Sequence, residues 1–209
     1  MYIPDHFNET NPHHLREVMR QHDFATVMTA QDTPDGLPMI SHIPLVLEGE
    51  DRLIGHTARS NPHWRLFENG RPTRAIFHGP HGYVSPRWYV SDKLVPTWNY
   101  VVVHATGSAR VMTDEEECLK AMEKLVTIYE TCEEGWRMNR LSERAITGLL
   151  RGIVPFEIWI EQLEGKFKLS QNRSAEDKDG VIRHLGNSVN STDRDLAAWM
   201  ADIQEEPAD

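Results

Sequence analysis

Cysteine is nearly missing from this chain of 209 residues: Cys118 and Cys132 are the only two. They fall fourteen apart in a stretch that reads as helix, too far for a CxxC redox or zinc half-site, so a disulfide scaffold is excluded and both thiols are expected reduced. Long apolar runs are missing too, none approaching the ~20 residues of a membrane span. The start, Met1-Tyr2-Ile3-Pro4-Asp5-His6, has neither the cations nor the apolar stretch of a signal peptide. A soluble, cytoplasmic protein with no membrane partner is therefore expected. Cations are outnumbered, 22 Lys and Arg against 32 Asp and Glu, for a formal charge of −10. That balance opposes broad nucleic-acid binding, which needs clustered cations to neutralise phosphates. No P-loop, Rossmann fingerprint, GxSxG or HExxH occurs. The eleven histidines lack ligand spacing: His13 and His14 are adjacent and point apart, and no Cys/His quartet accompanies His78 and His81, so no metal is expected.

What is present reads as a mainly β, α+β chain with no internal repeat. Asn11-Pro12 opens a short helix through Leu15, Val18 and Met19. Strands are expected over 24–30 and 39–47, joined by the turn-rich Asp32-Thr33-Pro34-Asp35-Gly36, then over 53–57, 74–78, 82–89, 100–112 and 154–163. Along the last of these, Phe156, Ile158 and Ile160 alternate with Glu157, Trp159 and Glu161. Asn61-Pro62 opens a brief helix through Phe67. A capping box at Thr113 and Glu116 starts a long amphipathic helix, and a second helix spans 142–150. Two capped helices, 174–185 and 192–203, form the tail.

Three stretches carry candidate chemistry. In Gly55-His56-Thr57-Ala58-Arg59-Ser60-Asn61-Pro62-His63-Trp64, hydroxyl, guanidinium and amide donors gather at a strand-to-helix turn. They suit a phosphate, and they equally suit an ordinary capped turn. Tyr83-Val84-Ser85-Pro86-Arg87-Trp88-Tyr89 and Val95-Pro96-Thr97-Trp98-Asn99-Tyr100 can wall a pocket for a flat ring or fill a core and dimer interface. Lys166 to Arg173 brings cations and amides after the last strand.

In this order these segments, with Met1-Tyr2-Ile3-Pro4, His42-Ile43-Pro44, Gly79-Pro80-His81-Gly82 and Lys168-Leu169-Ser170-Gln171-Asn172-Arg173, resemble the PaiB family. These are FMN-binding negative transcriptional regulators related to pyridoxamine-phosphate-oxidase-type split barrels, and the resemblance covers nearly the whole chain. It implies a six-stranded antiparallel FMN-binding split β-barrel with peripheral helices, spanning residues 1–173 with a helical insertion at 113–151, and a helical C-terminal appendage over 174–209. It implies a homodimer that binds FMN with residues of both protomers. Thr57, Arg59, Asn61 and Ser60 fall to the FMN phosphate, and the pocket extends to Trp98, Tyr100, Lys168, Gln171 and Asn172, the last three reaching the flavin from the partner chain. The implied role is a regulator or flavin-dependent sensor, with DNA as a partner by family naming although no basic recognition helix is visible. The further basic residues that pyridoxamine oxidases use for the substrate phosphate have no match. An FMN-dependent oxidoreductase or flavin reductase is the alternative, and haem binding or degradation on the same type of barrel is a third reading.

Divided by segment, residues 1–112 carry a net −1, 113–137 a net −5, 138–173 a net +2 and 174–209 a net −6. The acidity belongs to the helices, and the segments assigned to FMN are nearly neutral.

Overall fold

The computed structural model describes residues 1–132 and 134–205. Its strands are β1 (Asn8–Glu9), β2 (Phe24–Thr29), β3 (Met39–Pro44), β4 (Val46–Glu48), β5 (Arg52–Ala58), β6 (Pro72–Val84), β7 (Thr97–Val111) and β8 (Ile153–Lys168). Its helices are α1 (Pro12–Gln21), α2 (Trp64–Glu68), α3 (Glu115–Tyr129), α4 (Glu143–Leu150), α5 (Ala175–Gly186) and α6 (Ser191–Glu205). The strands share one sheet in the order β3-β2-β6-β7-β8-β5-β4, with β1 paired to β8. The α+β class is as expected, but eight strands replace six. The stretch expected as one strand over 39–47 is interrupted at Leu45, whose side chain is buried and whose N–H leaves the ladder for the Asp23 carbonyl, 2.8 Å away. The two-residue β1 adds the other. No helix among the described residues is long and apolar enough to cross a membrane.

The chain divides into two compact units. One comprises residues 22–77 and 104–163. In it β2 pairs antiparallel with β3, Phe24 opposite Pro44 through Thr29 opposite Met39, and with the start of β6. β5 pairs antiparallel with β4 and with β8, setting Thr57 opposite Val154. Inward residues of alternating strands fill its core, including Val27, Leu53, Phe77, Phe156 and Ile158, and Phe67 of α2 stacks near Phe156 with ring centroids 4.7 Å apart. A further cluster of Val46, Ile54, Met112, Ala121, Met122 and Leu125 seats α3 on the sheet. Removing such side chains from water is worth roughly 1.5–3 kcal/mol each, which is what holds so short a strand as β4 in place. Asp114 caps α3 by accepting the Glu117 N–H, one residue later than the Thr113 and Glu116 box expected. Cys118 and Cys132 are free, and burial, then Glu117 and Asp114, push the Cys118 thiol up, away from the thiolate that redox chemistry needs.

The other unit comprises residues 1–21, 78–103 and 164–209. α1 buries Leu15, Val18 and Met19, and α5 and α6 bury Val181, Leu185, Leu196 and Trp199, the last edge-on to Phe167 at 5.4 Å. Gly79 and Pro80 do not break the chain into two strands; β6 runs through them. A Cβ on Gly79 would stand 2.9 Å from the Val101 side chain, so the glycine permits close strand approach here instead of marking a turn. β6 ends at Val84, and the expected strand tail over 85–89 is a single 3-10 turn capped by Ser85.

Candidate functional site

The turn after β5 belongs to the first unit. The Asn61 N–H closes it onto the Ala58 carbonyl at 2.9 Å. Arg59 fastens it to the segment leading into β8: its main-chain N–H reaches the Gly152 carbonyl at 2.9 Å, and its Nε and Nη2 donate to the carbonyls of Arg151 and Ile153, both at 2.7 Å. A guanidinium offers five donors, and two are engaged among the described residues. Both partners are neutral carbonyls, which anchor the positive charge without cancelling it. Ser60 beside it is exposed. Thr57 is buried, and its Oγ1 has no hydrogen-bond partner among the described residues. The helix that follows the turn, α2, is only five residues long, too short for its N-terminus to be a source of field.

Asn61 is the best-held of the four. Its Oδ1 accepts the His63 N–H at 3.0 Å and its Nδ2 donates to Ser41 Oγ at 3.0 Å. His63, fully buried, contacts Ser41 Oγ through Nδ1 and Thr29 Oγ1 through Nε2, each at 2.9 Å, and Thr29 Oγ1 meets Thr73 Oγ1 at 2.9 Å. Burial pushes the His63 pKa down to about 4. Sequence reasoning passed over Ser41, Thr29, Thr73 and His63. The available signal was a polar residue, Ser41, at the inward position of β3 between apolar neighbours.

Trp98, Tyr100, Lys168, Gln171 and Asn172 belong to the second unit. Trp98 is exposed, with His81 and Tyr83 as ring neighbours at 6.2 and 6.4 Å. Lys168 donates to Thr97 Oγ1 at 2.6 Å and to the Trp98 carbonyl; burial, then Arg173 and Lys166, lower its pKa. Lys166, which sequence reasoning did not select, lies over the rings of Tyr2 and Tyr100 at 5.3 and 5.5 Å. Gln171 turns back on its own chain, accepting the Leu169 N–H and donating to the Phe167 carbonyl, and so closes the turn in which Ser170 holds a positive φ of 64°. Asn172 is exposed. The result is an outward face of rings and ammonium groups. No grouping of metal-ligating side chains occurs among the described residues.

Residues 1–162 match the "Putative FMN-binding domain" family, and the chain belongs to it. It is 36% identical over 208 residues, 97% of each chain, to the protease synthase and sporulation protein PAI 2 of Bacillus subtilis, which makes it a PaiB-type member. Among solved structures it shares its fold with an FAD and haem binding protein from Mycobacterium smegmatis (TM-score 0.62, 19% identity, 83% of this chain and 78% of that one). A flavocytochrome from Azotobacter vinelandii is also similar (TM-score 0.56, 15% identity, 84% and 80%). FMN is the cofactor that the family defines. The residues present fit it: a guanidinium held by neutral carbonyls, the exposed Ser60 and the buried Thr57 hydroxyl that lacks a partner among the described residues are what a phosphate dianion needs.

Proposed function

We propose that this chain is a cytoplasmic homodimeric flavoprotein that holds the FMN phosphate on the Arg59-Ser60-Asn61 turn, with Thr57 beneath it. The pocket extends to Trp98 and Tyr100, and the partner protomer's counterparts of Lys168, Gln171 and Asn172 reach the flavin. The observation that carries this reading is Arg59, a cation immobilised by two neutral carbonyls and without a counter-charge among the described residues. Main-chain anchoring prepays the ordering of a long side chain, so an incoming anion meets a preorganised donor. Trp98 and Tyr100 would supply flat surfaces for the ring system, and Lys168 would supply positive charge beside it. When bound, FMN supplies the electron-transfer chemistry; the side chains bind and orient it. The output we favour is flavin-dependent sensing that ends in transcriptional repression, as the PaiB resemblance implies.

FMN titration of the purified apoprotein, followed by flavin fluorescence quenching, tests the site. Arg59→Ala is expected to weaken binding roughly 10- to 100-fold, the worth of one or two charge-assisted hydrogen bonds. Arg59→Lys is expected between the two, because it keeps the charge and loses the fork. Equal affinity in wild type and Arg59→Ala sinks the assignment. Salt-sensitive retention of DNA by the FMN-loaded dimer is the expected sign of direct repression, and no retention at low salt removes it. Steady NADH or NADPH oxidation without DNA retention would turn the reading to an oxidoreductase.

A further inference from the structure

The contacts of the buried chain behind the turn fit one arrangement of its protons in which each contact has a donor and an acceptor. Thr73 Oγ1 donates to the Arg71 carbonyl at 3.2 Å, so in its contact with Thr29 it must accept. The Thr29 hydroxyl has then spent its proton, and its oxygen accepts from His63, which requires a proton on Nε2. From the other end, the His63 main-chain N–H points at Asn61 Oδ1, so the Asn61 nitrogen is the atom facing Ser41 and donates to its oxygen. The Ser41 hydroxyl proton is free to go to His63 Nδ1. Each contact along the line then has one donor and one acceptor, and the ring carries a single proton.

A second proton on Nδ1 would take the other lone pair of the Ser41 oxygen, which already accepts the Asn61 N–H, and would turn the Ser41 proton away from the one ring nitrogen placed to accept it. The ring is wholly enclosed, touching two hydroxyls and, at 4.9 Å between centroids, the Phe67 ring. The chemistry and the enclosure demand the same neutral imidazole. Both ends of the Asn61 carboxamide are thereby occupied, one by the His63 main chain and one by Ser41, and the turn containing Arg59 and Ser60 has its C-terminal post fixed in one orientation.

We infer that His63 is a positioning residue: as the neutral Nε2–H tautomer it orients Ser41, Ser41 fixes the Asn61 carboxamide, and this holds the Arg59–Asn61 turn in the shape it presents to an anion. The inference rests on the phosphate reading of that turn, and its first test does not.

Long-range proton–nitrogen NMR of the apoprotein at neutral pH is expected to show His63 protonated on Nε2 and bare on Nδ1; the opposite tautomer, or a doubly protonated ring, overturns the inference. The second test is a double-mutant cycle on FMN affinity with His63→Phe and Asn61→Ala, or with Ser41→Ala in place of His63→Phe if that variant does not fold. Each single change is expected to loosen FMN about tenfold, as loss of one buried hydrogen bond does, and the double change no more than the worse single. A merely structural role would leave the two effects multiplicative, and that result overturns the inference. If wild-type protein retains no FMN, the phosphate reading fails by itself. Positioning is then judged by proton exchange of the Asn61 carboxamide, slow in wild type and fast in Ser41→Ala; equal rates overturn it.

Discussion

His63 and Glu157 are both enclosed ionisable side chains, and the fold treats them in opposite ways. His63 is kept neutral by hydroxyls. Glu157, on β8, is kept charged: Arg110 Nε donates to one oxygen at 2.7 Å, the Trp159 indole N–H to the same oxygen at 2.9 Å, and Arg52 Nε to the other at 2.5 Å. Burial raises its carboxyl, but the hydrogen bonds from Arg110, Trp159 and Arg52 outweigh burial and the net shift is downward. Arg52 also pairs with Glu48, lowered chiefly by its hydrogen bond from Lys124, and Arg110 with Glu117, so an alternating line of charges ties α3 to β4, β5, β7 and β8. The two groups separate in pH. The His63 pKa falls from 6.5 to about 4 on folding, so below 6.5 the unfolded chain binds more protons and stability declines as pH falls from 6.5 toward 4. That loss is about 2–3 kcal/mol, and His63→Gln is expected to flatten it in urea titrations between pH 6.5 and 4.5. Glu157 and Glu48, held below their ordinary 4.5, contribute stability that is present above that value and disappears beneath it. Glu157→Gln is expected to cost about 3 kcal/mol at pH 7, since two guanidiniums lose their buried counter-charge, and to weaken the acid-side decline read by Trp fluorescence. An unchanged midpoint would refute the role given to the line of charges. Glu157 was not legible in the sequence because alternation assigns a carboxylate to the outer face of a strand; only the distant partners, Arg52 and Arg110, make its burial affordable.

Elements were readable where the signal is local and shifted where a distant contact decides. Helices with a serine N-cap begin as expected: Ser142 accepts the Ala145 N–H and Ser174 the Asp177 N–H. Glycine and proline count as punctuation and so predict two strands where β6 runs as one; here Gly79 and Gly82 make room, the first for Val101 and the second for Leu185 and Leu196. α5 shows the same logic in a helix. Its Asp177 carboxylate accepts the N–H groups of Val90 and Ser91 at 2.8 and 2.9 Å, and its Gly180 lies so near the 85–96 loop that a Cβ there would stand 2.1 Å from the Trp88 carbonyl oxygen. The helix is thus a mould for the aromatic loop. Propensity alone predicts that Gly180→Ala stabilises an exposed helix by ~1 kcal/mol. The clash is with main chain that cannot move without breaking the Asp177 bonds, so a net loss of roughly 2–4 kcal/mol is expected instead. Thermal unfolding gives the sign, and limited proteolysis should show cleavage moving into residues 85–96. A variant as stable as wild type, with that loop protected, would contradict the mould.

At the scale of the whole molecule the acidity and the cofactor chemistry are separated. Segments 113–137 and 174–209, which contain α3, α5 and α6, carry net charges of −5 and −6, whereas the cations proposed for FMN, Arg59 and Lys168, lie in segments that are nearly neutral or positive. The motif order made the family visible from sequence, and the proposed site joins a phosphate turn of one protomer to Lys168 of the other. Symmetry supplies a test that needs no structure of the complex. In a two-fold dimer whose sites take Arg59 from one protomer and Lys168 from the other, Arg59→Ala and Lys168→Ala homodimers are both defective at both sites. A heterodimer of the two variants places both lesions in one site and none in the other. Random mixing makes about half of the dimers hetero, so roughly a quarter of all sites should recover wild-type FMN affinity. Differentially tagged chains, unfolded and refolded together, then isolated by both tags, should bind one FMN per dimer with wild-type affinity. If each protomer builds its own site, every site in that heterodimer carries a lesion and no tight binding returns.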